Sequence, residues 1–208
     1  MKKIMFNDRY GLTQAVLEGK KTMTRRLMTM TLHKKNRKKM NPVVPDDMFI
    51  ASDGTAHFQV GRNGYMVPKK NQPAFHVGEE VAIAQNYKDA GLPPSFDCLG
   101  AFQPTAENHA GWKNKMFVAA EHMPHRIIIR KVDVQRLQSI SDEDCLKEGV
   151  EKWIDCYIVS DIMENYGKNN VCFDTPREAF AALIDRISGK GTWQRNPWVY
   201  VYEFELLK

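Results

Sequence analysis

The sequence has no long apolar run and no repeat of fixed period. Its apolar stretches fall well short of the roughly 18 residues that a membrane-spanning helix requires, which argues against such a helix. Residues 1–6 (MKKIMF) resemble the start of a signal peptide, but the polar residues 7–9 interrupt it before an apolar region develops. We therefore expect a cytoplasmic protein that does not enter a membrane.

Cysteine is scarce, and no Cys-x-x-Cys pair is present. The four cysteines lie far apart, at Cys98, Cys145, Cys156 and Cys172. Structural zinc sites draw thiolates from closely spaced pairs, so the spacing argues against zinc, and we expect no metal and no cofactor. The cysteines are interpreted as reduced, partly buried thiols in a reducing compartment.

Neither sign of charge is in large excess. The 208 residues carry 30 Lys and Arg against 25 Asp and Glu, which gives a net charge of +5. This modest excess favours a polyanionic partner, although many enzymes have as much. The densest cationic run, residues 34–39 (KKNRKK), suits either a solvated loop or an arm that contacts phosphates, and the sequence leaves both open.

Residues 7–26 contain the most distinctive pattern in the chain. An amphipathic helix is predicted over residues 7–17, and Gly19 is suited to the left-handed turn that ends it. The following residues alternate as a strand does, so their hydroxyls share one face with a guanidinium. This run comprises Lys20, Lys21, Thr22, Met23, Thr24, Arg25 and Arg26. A solvated strand face and an anion-binding face both fit it.

The pattern Gly-x-Lys-Thr-x-Thr-x-Arg resembles the signature that opens the ASCH domain, a relative of the PUA β-barrels that bind RNA. The resemblance is to a larger variant common in phages and prophages, and it covers residues 6–26, 77–85, 126–149 and 179–207. It implies an α+β protein with a PUA-like (ASCH) β-barrel and flanking helices. The whole chain, 1–208, would be one domain with insertions at about 28–75, 88–124 and 150–175.

Small bacterial ASCH proteins include an amidohydrolase that removes the acetyl group from acetylcytidine. Carried over to this chain, the resemblance implies Lys21, Thr24 and Glu148 as catalytic residues. A threonine hydroxyl becomes nucleophilic when a base takes its proton, and a lysine that is desolvated or crowded by cations can be that base. Glu143 and Glu151 are close enough in sequence to be alternatives to Glu148.

Six further residues are predicted to bind the ligand. Four belong to the opening motif, and two lie in the long segment 88–124, whose mixture of aromatic and cationic residues is typical of surfaces that stack bases and hold phosphates. They are Lys20, Thr22, Arg25, Arg26, Trp112 and Lys115.

Other patterns predict structure without chemistry. Asp-Gly and Asn-Gly turns predict a three-stranded meander over residues 48–68. One helix is predicted to begin after Ser141 and to end at Gly149, and a second to begin after Thr175. The apolar stripe of the second helix is explained by core packing: Phe180, Leu183, Ile184 and Ile187.

Three functions remain open at this point. The first is binding of RNA or of a nucleotide-sized ligand in a cationic cleft. The second is amide hydrolysis on an acetylcytidine-like nucleoside by Lys21, Thr24 and Glu148. The third is a non-catalytic interaction scaffold.

Overall fold

The computed structural model describes residues 1–28, 47–59, 65–66, 72–91, 109–159 and 171–207. The strands are β1 (Lys2–Ile4), β2 (Met23–Leu27), β3 (Asp47–Ile50), β4 (Ala56–Gln59), β5 (Tyr65–Met66), β6 (Glu80–Ile83), β7 (Arg126–Arg136), β8 (Glu151–Trp153), β9 (Cys156–Ile158) and β10 (Trp198–Leu207). The α-helices are α1 (Leu12–Leu17), α2 (Tyr87–Ala90), α3 (Asp142–Lys147), α4 (Pro176–Ser188) and α5 (Thr192–Arg195). Within these segments, none of the helices has the length and apolarity that a bilayer crossing needs.

A five-stranded mixed sheet forms the centre of the α+β fold. Its order is β1-β6-β7-β10-β2, with β1 parallel to β6 and the other neighbours antiparallel. The longest ladder joins β7 to β10, and its register shifts between Glu203 and Phe204. Two smaller sheets, β3-β4-β5 and β8-β9, complete the described strands.

The predicted closed β-barrel is wrong. A barrel closes only when its two edge strands pair with each other. In the described sheet the edges are β1 and β2, with three strands between them, and each pairs with a single neighbour. Sequence periodicity identifies strands but not which strand edges meet, so the barrel followed from the resemblance rather than from the residues.

The β3-β4-β5 sheet is the predicted meander. Ala51 accepts a hydrogen bond from Gly54 at the first turn, where Gly54 has a φ of +79°. The predicted second turn, at residues 63–64, lies outside the described residues. Met48 and Phe58 from this sheet are buried in the main core, so the small sheet packs onto the large one rather than standing apart.

Two apolar clusters hold the fold together. The larger one lies between the central sheet, α1, α3 and α4, and includes Ile83, Ile129, Leu137, Phe180 and Tyr202. The smaller one gathers Ala82, Ala84, Tyr87, Val118, Ala120 and Met123, with Trp112 packed against it. It orders residues 109–124 around two 3₁₀ helices, Lys115–Phe117 and Ala120–His122.

The helix termini follow the sequence closely except at the first helix. The Ser141 hydroxyl accepts a hydrogen bond from the Asp144 N–H, and the Thr175 hydroxyl accepts one from the Glu178 N–H, which confirms both predicted starts. The helix predicted over residues 7–17 is divided, because Gly11 has a φ of +61° between a 3₁₀ turn (Asp8–Tyr10) and α1.

Two cysteines predicted to be reduced form a disulfide. Cys156 and Cys172 are bonded, with their Cα atoms 5.6 Å apart. The reason is local pairing: Tyr157 and Phe173 exchange backbone hydrogen bonds, which brings the residues before them together. Cys145 is a free, buried thiol, and burial raises its pKa to about 12. Cys98 lies outside the described residues.

Candidate functional site

Three chain segments meet around Lys21. Gly19 has a φ of +73° and lets the chain leave α1 sharply, after which the Lys21 N–H bonds to the Ala15 carbonyl. The next residue donates its backbone N–H to the Lys147 carbonyl at the end of α3. The start of β2 is therefore tied to the C-termini of both α1 and α3.

Lys21 and Glu148 form a buried ion pair. The Lys21 Nζ lies 2.7 Å from Glu148 Oε2 and 2.6 Å from the Glu148 backbone oxygen. The side chains are only 2% and 6% exposed. The ammonium also caps the last turn of α3, where the helix dipole favours a cation. Loss of Glu148 would leave the Lys21 ammonium in the interior without its partner carboxylate.

The environment of Lys21 lowers the pKa of its amine. Burial is the largest cause, and the nearby charges of Arg26 and Arg25 act in the same direction. The Glu148 carboxylate opposes them, because it stabilises the ammonium by charge and by hydrogen bonding. Lys21 therefore gives up its proton at lower pH than an exposed lysine does.

Thr24 and Arg26 occupy alternate positions of β2, opposite Tyr202 and Tyr200 of β10. The Arg26 Nη2 donates to the Met5 carbonyl at 2.6 Å. The Arg26 Nε is buried and has no hydrogen-bond partner among the described residues. Burial also lowers the pKa of Arg26. Arg26 thus has unused donor capacity, which a ligand oxygen could satisfy.

These side chains line one cavity of about 630 Å³. Its volume lies within the roughly 300–1,000 Å³ of small-molecule sites. Part of the lining is charged or polar and includes Lys21, Thr24, Arg25, Arg26 and Glu148. Another part is apolar: Phe6, Leu12, Leu27, Phe180, Leu183, Ile184 and Ile187. The cavity therefore suits a ligand that has both polar and apolar groups.

The structure places three of the six predicted ligand-binding residues on the cavity lining and three elsewhere. Arg25, Arg26 and Lys115 line the cavity, whereas Lys20, Thr22 and Trp112 do not. Lys115 donates to Phe6 O, and its Nζ lies 2.7 Å from Asp8 Oδ1, so part of its donor capacity is used within the protein. Lys20 is exposed and pairs with Glu18 at 2.8 Å.

The three candidate glutamates, Glu143, Glu148 and Glu151, differ in burial and in their position relative to the cavity. Glu148 is buried in the cavity wall, while Glu143 is exposed and neither it nor Glu151 lines the cavity. Of the three, Glu148 alone contacts Lys21 among the described residues. Those residues include no cluster of three His, Cys, Asp or Glu side chains suited to a metal ion.

Sequence reasoning missed two parts of the site. The apolar stripe of α4 forms a cavity wall in addition to packing in the core, and Asp144 holds Arg25 at 2.8 Å. Ile187 was the available signal for the first, because it continues the stripe to the last turn of α4, where it is 39% exposed. Nothing in the sequence near Asp144 points to Arg25.

Gly149 provides a test of how tightly this corner is packed. Its φ is +101°, and an added Cβ would lie 3.1 Å from Leu12 Cδ2 and 3.6 Å from Lys21 Cδ. We expect Gly149→Ala to lower the free energy of unfolding by about 2–3 kcal/mol, combining backbone strain with the close contact. Chemical denaturation measures the loss.

Gly91→Ala is the matched control for that substitution. Gly91 also has a positive φ, +67°, but an added Cβ there would meet nothing within 4 Å. It should therefore show the backbone cost alone, about 1 kcal/mol. Equal losses in the two variants would contradict close packing of Gly149 against Leu12 and Lys21.

Comparisons of the chain with protein-family models, with curated proteins and with solved structures found no match. The resemblance to ASCH proteins consequently remains a prediction that rests on the motif around Lys21.

Proposed function

We propose that the protein is an amidohydrolase that removes an acyl group from a nucleoside-sized substrate bound in the Lys21 cavity. The observation that carries this proposal is the state of Lys21, a buried amine with a lowered pKa that lines the same cavity as Thr24. A lysine that is held in that way is better suited to act as a general base than an exposed lysine is.

The hydrogen bonds of Lys21 favour this role. A neutral amine has two N–H groups and one lone pair, and Lys21 makes two hydrogen bonds, both to Glu148. With both N–H groups used, the lone pair of the neutral amine would be available to accept a proton, and we assign its donor as the hydroxyl of Thr24, which lines the same cavity. Glu148 would then orient the base and stabilise the ammonium that forms.

The reaction would proceed by acyl transfer to Thr24. As its proton moves to Lys21, the Thr24 oxygen attacks the amide carbonyl and forms a C–O bond. The C–N bond then breaks, and the departing amine takes the proton from Lys21. Water attacks the resulting threonine ester in the second half, which releases the carboxylic acid and restores the hydroxyl.

Arg26 is suited to stabilise the carbonyl oxygen as it gains negative charge. Its Nε has no partner among the described residues, and the group is largely desolvated, so a hydrogen bond to a developing oxyanion would be strong there. The apolar wall from α4 would hold the face of the base or of the acyl group.

A panel of acylated nucleosides, followed by chromatography, tests this function. We expect release of the free nucleoside and the carboxylic acid in equal amounts, with acetylcytidine as the first substrate to try. The rate should rise with pH as Lys21 loses its proton. No turnover across acylated cytidines, adenosines and simple amides, by protein shown to be folded, would contradict the proposal.

Binding of RNA or a nucleotide in the cytoplasm is the second candidate. It is favoured by five cationic side chains on the cavity lining, Arg9, Lys21, Arg25, Arg26 and Lys115, against two carboxylates, Asp8 and Glu148. We expect affinity for a labelled oligoribonucleotide to fall steeply with salt, and Arg26→Gln to reduce the slope of log affinity against log salt by about 0.7. An affinity that does not change with salt concentration would rule out phosphate recognition at this surface.

A further inference from the structure

Arg25 is the most enclosed charged side chain of the site. Its side chain is 0% exposed, and its Nη1 lies 3.3 Å from Glu148 Oε1. Its Nη2 lies 2.8 Å from Asp144 Oδ2 and 3.4 Å from Gln135 Oε1. These contacts use both terminal nitrogens of the guanidinium within the protein, while its buried Nε has no hydrogen-bond partner among the described residues.

The arrangement joins β2 to one face of α3. Asp144 and Glu148 are four residues apart, so their side chains lie on the same side of the helix one turn from each other. Arg25 bonds to both of them through separate nitrogens. A planar fork of donors can do this, whereas a single ammonium cannot hold both carboxylates with the same fixed geometry.

Glu148 consequently has a cation on each carboxylate oxygen. Lys21 contacts Oε2 at 2.7 Å and Arg25 contacts Oε1 at 3.3 Å. The carboxylate is held in one orientation, and its charge is shared between two cations. Lys21 therefore receives less stabilisation of its ammonium than it would as the only partner of Glu148.

We propose that Arg25 is a positioning residue, which fixes the Glu148 carboxylate against the Lys21 amine and, as a second cation on that carboxylate, keeps Lys21 able to accept a proton. This inference rests on the proposed amide hydrolysis for its purpose. The arrangement of charges can nevertheless be tested without a substrate.

Among the described residues, the charges that shift the pKa of Lys21 come from β2 and from Glu148 at the end of α3. Glu148 raises the pKa of Lys21, and Arg26 and Arg25 lower it, in addition to the larger effect of burial. Asp144 pairs with Arg25, so its effect on Lys21 is indirect. On the other side Lys21 meets the Phe6 ring, 5.9 Å from its Nζ, which carries no charge. Of the further charged residues on the cavity lining, Asp8 and Lys115 pair with each other, and Arg9 is the third.

Arg25→Gln is the direct experiment. We expect the pKa of Lys21, followed by NMR of protein with ¹³C-labelled lysine and no substrate, to rise by about one to two pH units, because one nearby positive charge is removed. In the hydrolysis assay the rising limb of the pH–rate profile should move to higher pH by the same amount. An exposed arginine, Arg130, which pairs with Glu205 at the surface, is the control, and Arg130→Gln should move neither readout.

Arg25→Lys separates charge from geometry. It keeps a cation near Glu148, so the pKa of Lys21 should stay within about half a unit of the wild-type value. It loses the fork that bridges Glu148 and Asp144, so kcat should fall about 10-fold or more while KM changes little. A purely structural role for Arg25 would lower the thermal stability of both variants without moving the Lys21 titration.

The outcomes distinguish the two proposals. A folded Arg25→Gln protein with an unchanged Lys21 titration would overturn the role of Arg25, whether or not the protein is an enzyme. Absence of turnover in the wild type, with the Lys21 titration shifted in Arg25→Gln, would overturn amide hydrolysis and leave the charge arrangement standing. If Arg25→Gln does not fold, Arg25→Lys decides, and a shift of a full pH unit in that variant would overturn the inference.

Discussion

Replacing Glu148 by glutamine is expected to lower the free energy of unfolding by about 3–5 kcal/mol. The change keeps the shape of the side chain but removes the negative charge between Lys21 and Arg25, both of which are almost fully buried. A buried cation without its partner carries most of the cost of desolvation with none of the compensating attraction. Urea denaturation of the two proteins at neutral pH measures the difference.

Glu143→Gln is the control for that experiment. Glu143 lies on the same helix, α3, but is exposed, so its neutralisation should change the free energy of unfolding by less than about 0.5 kcal/mol. Similar losses in both variants would mean that a general loss of charge on α3, and not the buried pair, destabilises the fold.

The loss caused by Glu148→Gln should shrink at alkaline pH. Burial holds the pKa of Lys21 below its ordinary value of 10.5, and removal of Glu148 lowers it further. Between the folded-state pKa of Lys21 and 10.5, the unfolded chain binds more protons than the folded chain, so the free energy of unfolding rises with pH. This pH range is wider for the variant, so its free energy of unfolding rises by more. Once Lys21 is neutral in both proteins, its attraction to Glu148 no longer contributes to the difference.

Thr24→Ala is expected to have the largest effect on turnover. It removes the hydroxyl that attacks the amide, so kcat should fall by at least about 1,000-fold. Thr24 is buried on β2 and lines the cavity, so the loss of its hydroxyl and methyl groups should leave the fold intact. Single-turnover assays with the best acylated nucleoside, together with thermal unfolding, measure both quantities.

Thr22→Ala is the matched control, because the sequence and the structure disagree about that residue. The sequence places Thr22 on the same strand face as Thr24, whereas the structure leaves Thr22 outside the cavity lining. Its substitution should change kcat less than about threefold. If Thr24→Ala retained wild-type kcat, Thr24 could not be the nucleophile, and a water molecule activated by Lys21 would replace it in the mechanism.

The positions of Lys21 and Glu148 at helix ends could be predicted from the sequence. Lys21 follows a glycine that ends a helix, and Glu148 is the last residue before the glycine that ends another. Both positions are signalled locally, by Gly19 and Gly149, and helix ends that carry orphan carbonyls attract a lysine side chain. Their contact could be predicted only through the resemblance, because 127 residues separate them.

Other parts of the site depend on topology and had no local signal. Arg25 meets Asp144 across 119 residues, and a strand pattern shows that Arg25 alternates with Thr24 but not which helix covers that face. The stripe on α4 has the same 3.6-residue period whether it packs in a core or lines a cavity. The absence of barrel closure and the Cys156–Cys172 bond likewise depend on which segments pair.

The Cys156–Cys172 bond would hold the protein together after a protease cuts the chain between these two cysteines. A cut between these cysteines would divide the chain into one piece with β2 and α3 and another with α4 and β10. Lys21, Thr24 and the other polar lining residues named above would belong to the first piece, and the four apolar lining residues of α4 to the second. The two pieces would stay covalently joined until a reductant opens the bond, so nicked protein would separate into fragments only on a reducing gel.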